Sequence, residues 1–137
     1  MSIFLDSSAL AKRYLDEPGS DKVEALCSQG GQIVVSIICL PEIVSALNRR
    51  KRDRLISFQQ YELIKQRLLA EFEDFLSYPL TPQVIASTIE YLEKYSLRAM
   101  DALHLACAVD VACAIFVSAD ARQLEAARKL KLKILKV

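Results

Sequence analysis

Five short apolar runs frame this chain: SIFL, QIVVS, FLSYPL, AIFVS and KILKV, each divided from the next by segments of helical length. Antiparallel neighbours can be joined by a two-residue turn, whereas strands separated by whole helices pair in parallel through right-handed crossovers. The alternation therefore predicts an α/β fold of three layers, a central parallel sheet flanked by helices, as one domain over residues 1–137. Hydrophobic residues make up 53% of the chain, which suits elements buried on both faces or an apolar subunit interface.

The intervening segments carry start and stop signals. SSALAKRYLDE opens on hydroxyl residues and stops at the turn EPGS; Ser20 is placed to cap the next helix, which Gly30 and Gly31 close. In LPEIVSALNRRKR, Pro41 suits a first helical position, with Glu42 directly after it. Helical spacing runs from Ser57 to about Phe75, from Thr81-Pro82 through Tyr95, from about Arg98 to Ala112, and along ADARQLEAARKL.

In such sheets ligands gather at the carboxyl ends of the strands, where the next helices begin. Asp6 ends the first strand, Glu42 begins the helix after the second, and Asp120 lies just past the fourth. Asp101, in RAMDALHLACAVD, opens a helix of otherwise apolar residues and joins that edge if the helix packs start-inward. Each acid alone has a local explanation: Asp6 as a cap, Glu42 and Asp101 as complements to a helix dipole, and Asp120 in a capping box with Gln123. Ser118 alone is an ordinary strand-end hydroxyl. Together, four carboxylates on one edge repel, and a bound cation relieves that repulsion. All-oxygen ligands favour a hard ion, Mg2+ or Mn2+. Asp110 sits half a turn from Asp101 and reads as exposed.

Composition removes several classes. The 18 basic and 17 acidic residues give no global polyanion-binding charge, so nucleic-acid contacts must come from local patches. The start MSIFLDSSAL lacks the features of a signal peptide, and no apolar run is long enough for a membrane span, so a cytoplasmic protein is expected. Cys27, Cys39, Cys107 and Cys113 form no C-x-x-C pair and read as reduced core residues; with His104 the sole histidine, an ordinary zinc site is unlikely.

FLDSSAL, PEI, MDALHLACA and FVSAD, with Asp6, Glu42, Asp101, Ser118 and Asp120, resemble the PIN-domain nucleases along the whole chain. LAKRYLDEPGS looks like the VapC-type toxins of toxin–antitoxin pairs. The resemblance implies strand order 3-2-1-4-5 and an Mg2+- or Mn2+-dependent endoribonuclease leaving 5′-phosphate and 3′-hydroxyl ends. It also implies a homodimer and inhibition by a cognate antitoxin. Asp6 and Asp101 are expected as principal metal ligands, with Asp120 direct or through water. Glu42 either ligates a second ion or positions the attacking water, and Ser118 orients Asp120 or a water. His104, where many relatives carry an aliphatic residue, is expected to pack.

An acidic pocket repels RNA, so cations must hold the strand. The run NRRKRDR offers Arg49, Arg50 and Arg52, as a phosphate-tracking patch, a docking site for acidic antitoxin segments, or a solvated helix end. Arg13 is expected to reach the site from the rim, and Arg98 is a weaker candidate. The lysines of RKLKLKILK suit an edge strand. Tyr14 is the nearest aromatic, expected in the core. Phospho-receiver domains and haloacid-dehalogenase-type phosphatases lose on spacing, because Ser7 and Ser8 follow Asp6 where they need further acids. An RNA-processing nuclease without an antitoxin, or a non-catalytic RNA- or protein-binding PIN module, are the competing functions.

Overall fold

Residue-by-residue alternation along the central strand builds two cores. In the computed structural model, which describes Met1–Val137, β1 (Ser2–Leu5) turns Ile3 and Leu5 to one face and Phe4 to the other, all fully buried. It pairs in parallel with β2 (Gln32–Ser36) on one side and β4 (Ile115–Ser118) on the other. The short strands β3 (Leu76–Tyr78) and β5 (Ile134–Lys136) close the edges, giving the order β3-β2-β1-β4-β5. Strands buried on both faces read as continuous apolar runs, as IVV and IFV do here.

Between the strands stand α1 (Ser7–Tyr14), α2 (Ser20–Ser28), α3 (Cys39–Arg52) and α4 (Phe58–Phe72), then α5 (Pro82–Lys94), α6 (Ala99–Asp110) and α7 (Ala121–Lys129). Helices α1 to α4 cover one face of the sheet, where Leu10, Leu26, Leu47 and Leu68 pack on Ile3, Leu5, Val35 and Val117. Helices α5 to α7 cover the other, where Val84, Leu105 and Leu124 meet Phe4, Val34 and Phe116; the two phenylalanine rings stack at 5.8 Å. Burying a leucine of this kind contributes about 2 kcal/mol.

Three local expectations need correction. Ser20 is the first residue of α2, not its cap; Gly19 holds that place at φ +97°, and the Ser20 hydroxyl donates to Leu15 O instead. Pro41 is the third residue of α3, which starts at Cys39, since a helix leaves its early N–H groups unpaired anyway. Asp6 caps α1 by accepting from Ala9 N, and the hydroxyls of Ser7 and Ser8 are turned elsewhere. Ser57 caps α4 in a reciprocal box with Gln60, and Thr81 caps α5 with Pro82 behind it. No helix is long and apolar enough to cross a membrane, and all four cysteines are free.

Candidate active site

The register of the two central strands places the first two site residues. Leu5 pairs with Val117, and Asp6 N–H continues the ladder by donating to Val117 O at 3.2 Å. Asp6 and Ser118 therefore emerge side by side, and the Ser118 hydroxyl donates to Asp6 Oδ2 at 2.6 Å. Asp6 Oδ1 accepts from the Ser8 hydroxyl at 2.7 Å and from Ala9 N at 2.9 Å. Ser118 Oγ accepts from Asp120 N at 2.9 Å, and Ser8 Oγ accepts from Ala119 N at 3.0 Å. Two serines thus tie the end of β1 to the turn after β4.

Glu42, on the first turns of α3, belongs to a second set. Its Oε1 accepts from the Ser7 hydroxyl at 2.7 Å and faces His104 Nε2 at 2.5 Å. His104 on α6 is 2% exposed, with its ring edge toward Phe4, and its Nδ1 has no partner. His104 packs as expected from the sequence, but it also touches the site. Asp101 stands at the start of α6, and Gln123 Nε2 donates to its backbone carbonyl at 3.0 Å. Asp120 caps α7 through Oδ1, accepting from Arg122 N and Gln123 N. The Gln123 side chain is spent on Asp101, so no reciprocal capping box forms.

Glu42, Asp101 and Asp120 line one cleft of about 570 Å³, together with Ser96, Arg98, Met100 and Arg122. Asp6 lies buried next to it, 2% exposed. Burial raises the Asp6 carboxyl above its usual range, against the lowering effect of His104 and its hydrogen bonds. Burial also raises Asp101, helped by the charges of Asp120, Asp6 and Glu42. Burial would raise Glu42 as well, but its bond to His104, the His104 charge and the Ser7 bond outweigh it and hold the group low. Of these acids, Asp101 is the one that the other carboxylates push upward.

The donor set suits a hard divalent cation: four carboxylates and hydroxyls, without a thiolate. No three of them converge tightly enough to form a finished cage. Asp6 and Glu42 are turned toward their serine and histidine partners, while the Asp101 carboxylate, Glu42 Oε2 and Asp120 Oδ2 accept no hydrogen bond from the protein. Those free oxygens border the cleft and fit the cation that the acid pattern calls for.

Two arginines do not stand where the sequence suggested. Arg13 lies in the last turn of α1, at the end opposite the site, and is ion-paired with Glu71 at 2.5 Å and Glu24 at 3.0 Å. Acids from α2 and α4, distant in sequence, draw it away from the rim. Arg50 points along the far side of α3 and pairs with Glu17 at 2.9 Å. Arg49 is exposed and borders a cleft that also touches Glu42, and Arg52 is exposed without an ion pair. In the sequence Ser7 and Ser8 stood only as departures from other families' acids, and Arg122 was not singled out. The serines follow Asp6 directly, and Arg122 lies two residues after Asp120, so proximity to an acid was the available signal.

A family model described as PIN domain matches residues 3–129. No curated protein is similar enough to match. Among solved structures, FitAcB from Neisseria gonorrhoeae is similar at 16% identity and TM-score 0.71, over 98% of this chain and 96% of that one. VapBC2 from Rickettsia felis, bound to a DNA fragment from its promoter, is similar at 15% identity and TM-score 0.71, over 100% and 99%. VapC20 from Mycobacterium tuberculosis, described as a Sarcin-Ricin loop cleaving toxin, is similar at 18% identity and TM-score 0.70, over 90% and 94%. At these identities the likeness is one of fold.

Proposed function

The chain belongs to the PIN-domain family, and from that footing we propose that it is a metal-dependent endoribonuclease, the toxin of a VapBC-type toxin–antitoxin pair. PIN domains are generally nucleases. The observation that carries the reading is the single cleft bordered by Glu42, Asp101 and Asp120, with Asp6 and Ser118 joined beside it at the ends of the two central strands. No acid position of the family pattern is empty in this chain. The solved neighbours described as toxin–antitoxin complexes support an antitoxin as partner.

Asp6 and Asp101 would hold Mg2+ or Mn2+, with Asp120 direct or through water and Glu42 at a second ion or at the attacking water. The bound ion acidifies water and offsets the negative charge that builds on the leaving oxygen of a phosphodiester. The chain's own residues fix the geometry. Ser118 grips Asp6 by its hydroxyl and Asp120 by its backbone N–H, so carboxylates from two strands keep one spacing. Ser7 and His104 hold Glu42 by Oε1 and leave Oε2 toward the cleft, ionised and able to orient water. Gln123 anchors the backbone under Asp101. Arg49 and Arg52 would meet the RNA backbone on the α3 side.

Residues 1–137 then act as one PIN domain, in the cytoplasm, where RNA is found. The exposed row Ile85, Ile89 and Leu92 on α5 supports a homodimer, since a lone apolar helix face in water is unfavourable. The test is cleavage of total cellular RNA by purified protein with Mg2+, Mn2+ or EDTA, wild type beside Asp101→Asn. Metal-dependent cuts lost in the variant, with 5′-phosphate ends, are the expected result. No cleavage with either metal by the wild type, on total RNA including intact ribosomes, would overturn the reading.

A further inference from the structure

Three clefts share their walls. The central cleft has Glu42 and Met100 in common with a cleft of about 330 Å³ that Arg49 borders. On its other side it shares Ser96 and Arg122 with a cleft of about 370 Å³ that Tyr95, Ala126 and Lys129 border. The surface is thus one trough, acidic in the middle and basic at both sides. Arg98, Arg122 and Lys129 are exposed and take part in no ion pair, whereas Lys94 is bound to Glu90, and Glu125 is neutralised by Arg128. Arg122, Ala126 and Lys129 follow helical spacing along one face of α7, so a small residue separates two cations. Tyr95, half-buried against Tyr91, presents an aromatic ring in the same cleft.

Resting on the nuclease reading, we infer that this trough is the track of a single-stranded RNA, with Arg98, Arg122 and Lys129 holding phosphates on the α7 side and Tyr95 stacking a base. Cations interleaved with an aromatic ring suit a flexible strand, whose phosphates and base faces are both available. The track continues the site: a phosphodiester seated over the carboxylates must send its flanking nucleotides into the two side clefts. Arg49 receives the other end, so the strand crosses between α3 and α7.

The test is binding of a labelled single-stranded oligoribonucleotide of mixed sequence, in Mg2+ buffer over a range of KCl concentrations. The Asp101→Asn background prevents cleavage. Each phosphate contact contributes about 0.7 to the slope of log affinity against log salt. Combining Arg98→Gln, Arg122→Gln and Lys129→Gln should flatten that slope by about 2. Lys22→Gln, Lys65→Gln and Lys133→Gln, which remove the same charge away from the trough, should change it by less than half as much. Tyr95→Leu, which keeps the packing, should weaken binding about tenfold at an unchanged slope. Equal slopes in the two triple variants, with wild type still cleaving RNA, would overturn the track and leave the nuclease reading standing. Wild type that neither binds nor cleaves RNA would overturn both.

Discussion

Replacing Asp101 by asparagine should make the metal-free protein more stable while removing its activity. The Asp101 carboxylate accepts no hydrogen bond from the protein, so the amide forfeits none. What it loses is repulsion from Asp120, Asp6 and Glu42, the charges that help raise its pKa. At an effective dielectric of about 20, two like charges repel by about 4 kcal/mol at about 4 Å, and by proportionally less as they part. Asp101 is half exposed, and solvent and counter-ions bring the net to about 1 kcal/mol. For a chain of this size that is a rise of roughly 3–5 °C in Tm. The assay is thermal unfolding in EDTA and again with saturating Mg2+. Wild type should gain about 2.7 kcal/mol at a hundredfold excess over its Kd, and the variant should lose most of that gain. Losing a ligand to an ion worth several kcal/mol in the transition state should reduce cleavage by at least about a thousandfold. A variant less stable than wild type in EDTA, or one keeping the full Mg2+ shift, would refute the placement of Asp101 among repelling ligands.

The raised pKa values of Asp6 and Asp101 mean that the folded protein holds their protons above the ordinary value of 3.8 at which the unfolded chain releases them. Their contribution to stability in EDTA should therefore fall as pH rises from about 4, and Asp101→Asn should flatten that part of a urea-midpoint profile. Glu42 acts in the opposite sense, adding stability above its ordinary value of 4.5 that is lost as pH falls through its lowered folded pKa. His104→Leu, which fills the space but cannot bond Glu42, should slow cleavage about 10- to 100-fold in a folded protein, and His104→Gln should recover much of the loss. Equal kcat in the leucine and glutamine variants would assign His104 to packing alone. Ala112, exposed just after α6 with φ 53°, should accept glycine with a gain of about 0.5 kcal/mol, measured by denaturant unfolding.

The fold was legible because β-branched runs and capped helical segments agree with each other along the whole chain. Boundaries slipped where a local rule had an equivalent one beside it, as at Pro41 and Ser20, and by a few residues at the ends of α4 and α6. The acids were legible for a related reason: Asp6, Glu42, Asp101 and Asp120 share a helix-start position, which topology turns into a place in space. Most of the cations were not. Arg13 and Arg50 are directed by Glu71, Glu24 and Glu17, acids whose proximity only the tertiary structure creates. Arg122 borders the cleft because α6 and α7 converge there, which no spacing within one helix reveals, whereas Arg98 could be named from its place three residues before Asp101. His104 showed half of its role, since apolar neighbours predict burial and say nothing of Glu42.

The hydrogen bond between Ser118 and Asp6 spans 112 residues of chain. At about 5–20 residues per second, roughly 6–22 s of translation separate the making of the first acid from that of its clamp. A ribosome carrying the first hundred residues therefore holds Asp6 and Glu42 without Asp101, Ser118 or Asp120, a fragment with no cutting edge. The set of four acids is therefore completed late and all at once, after the central strand has received its last neighbour.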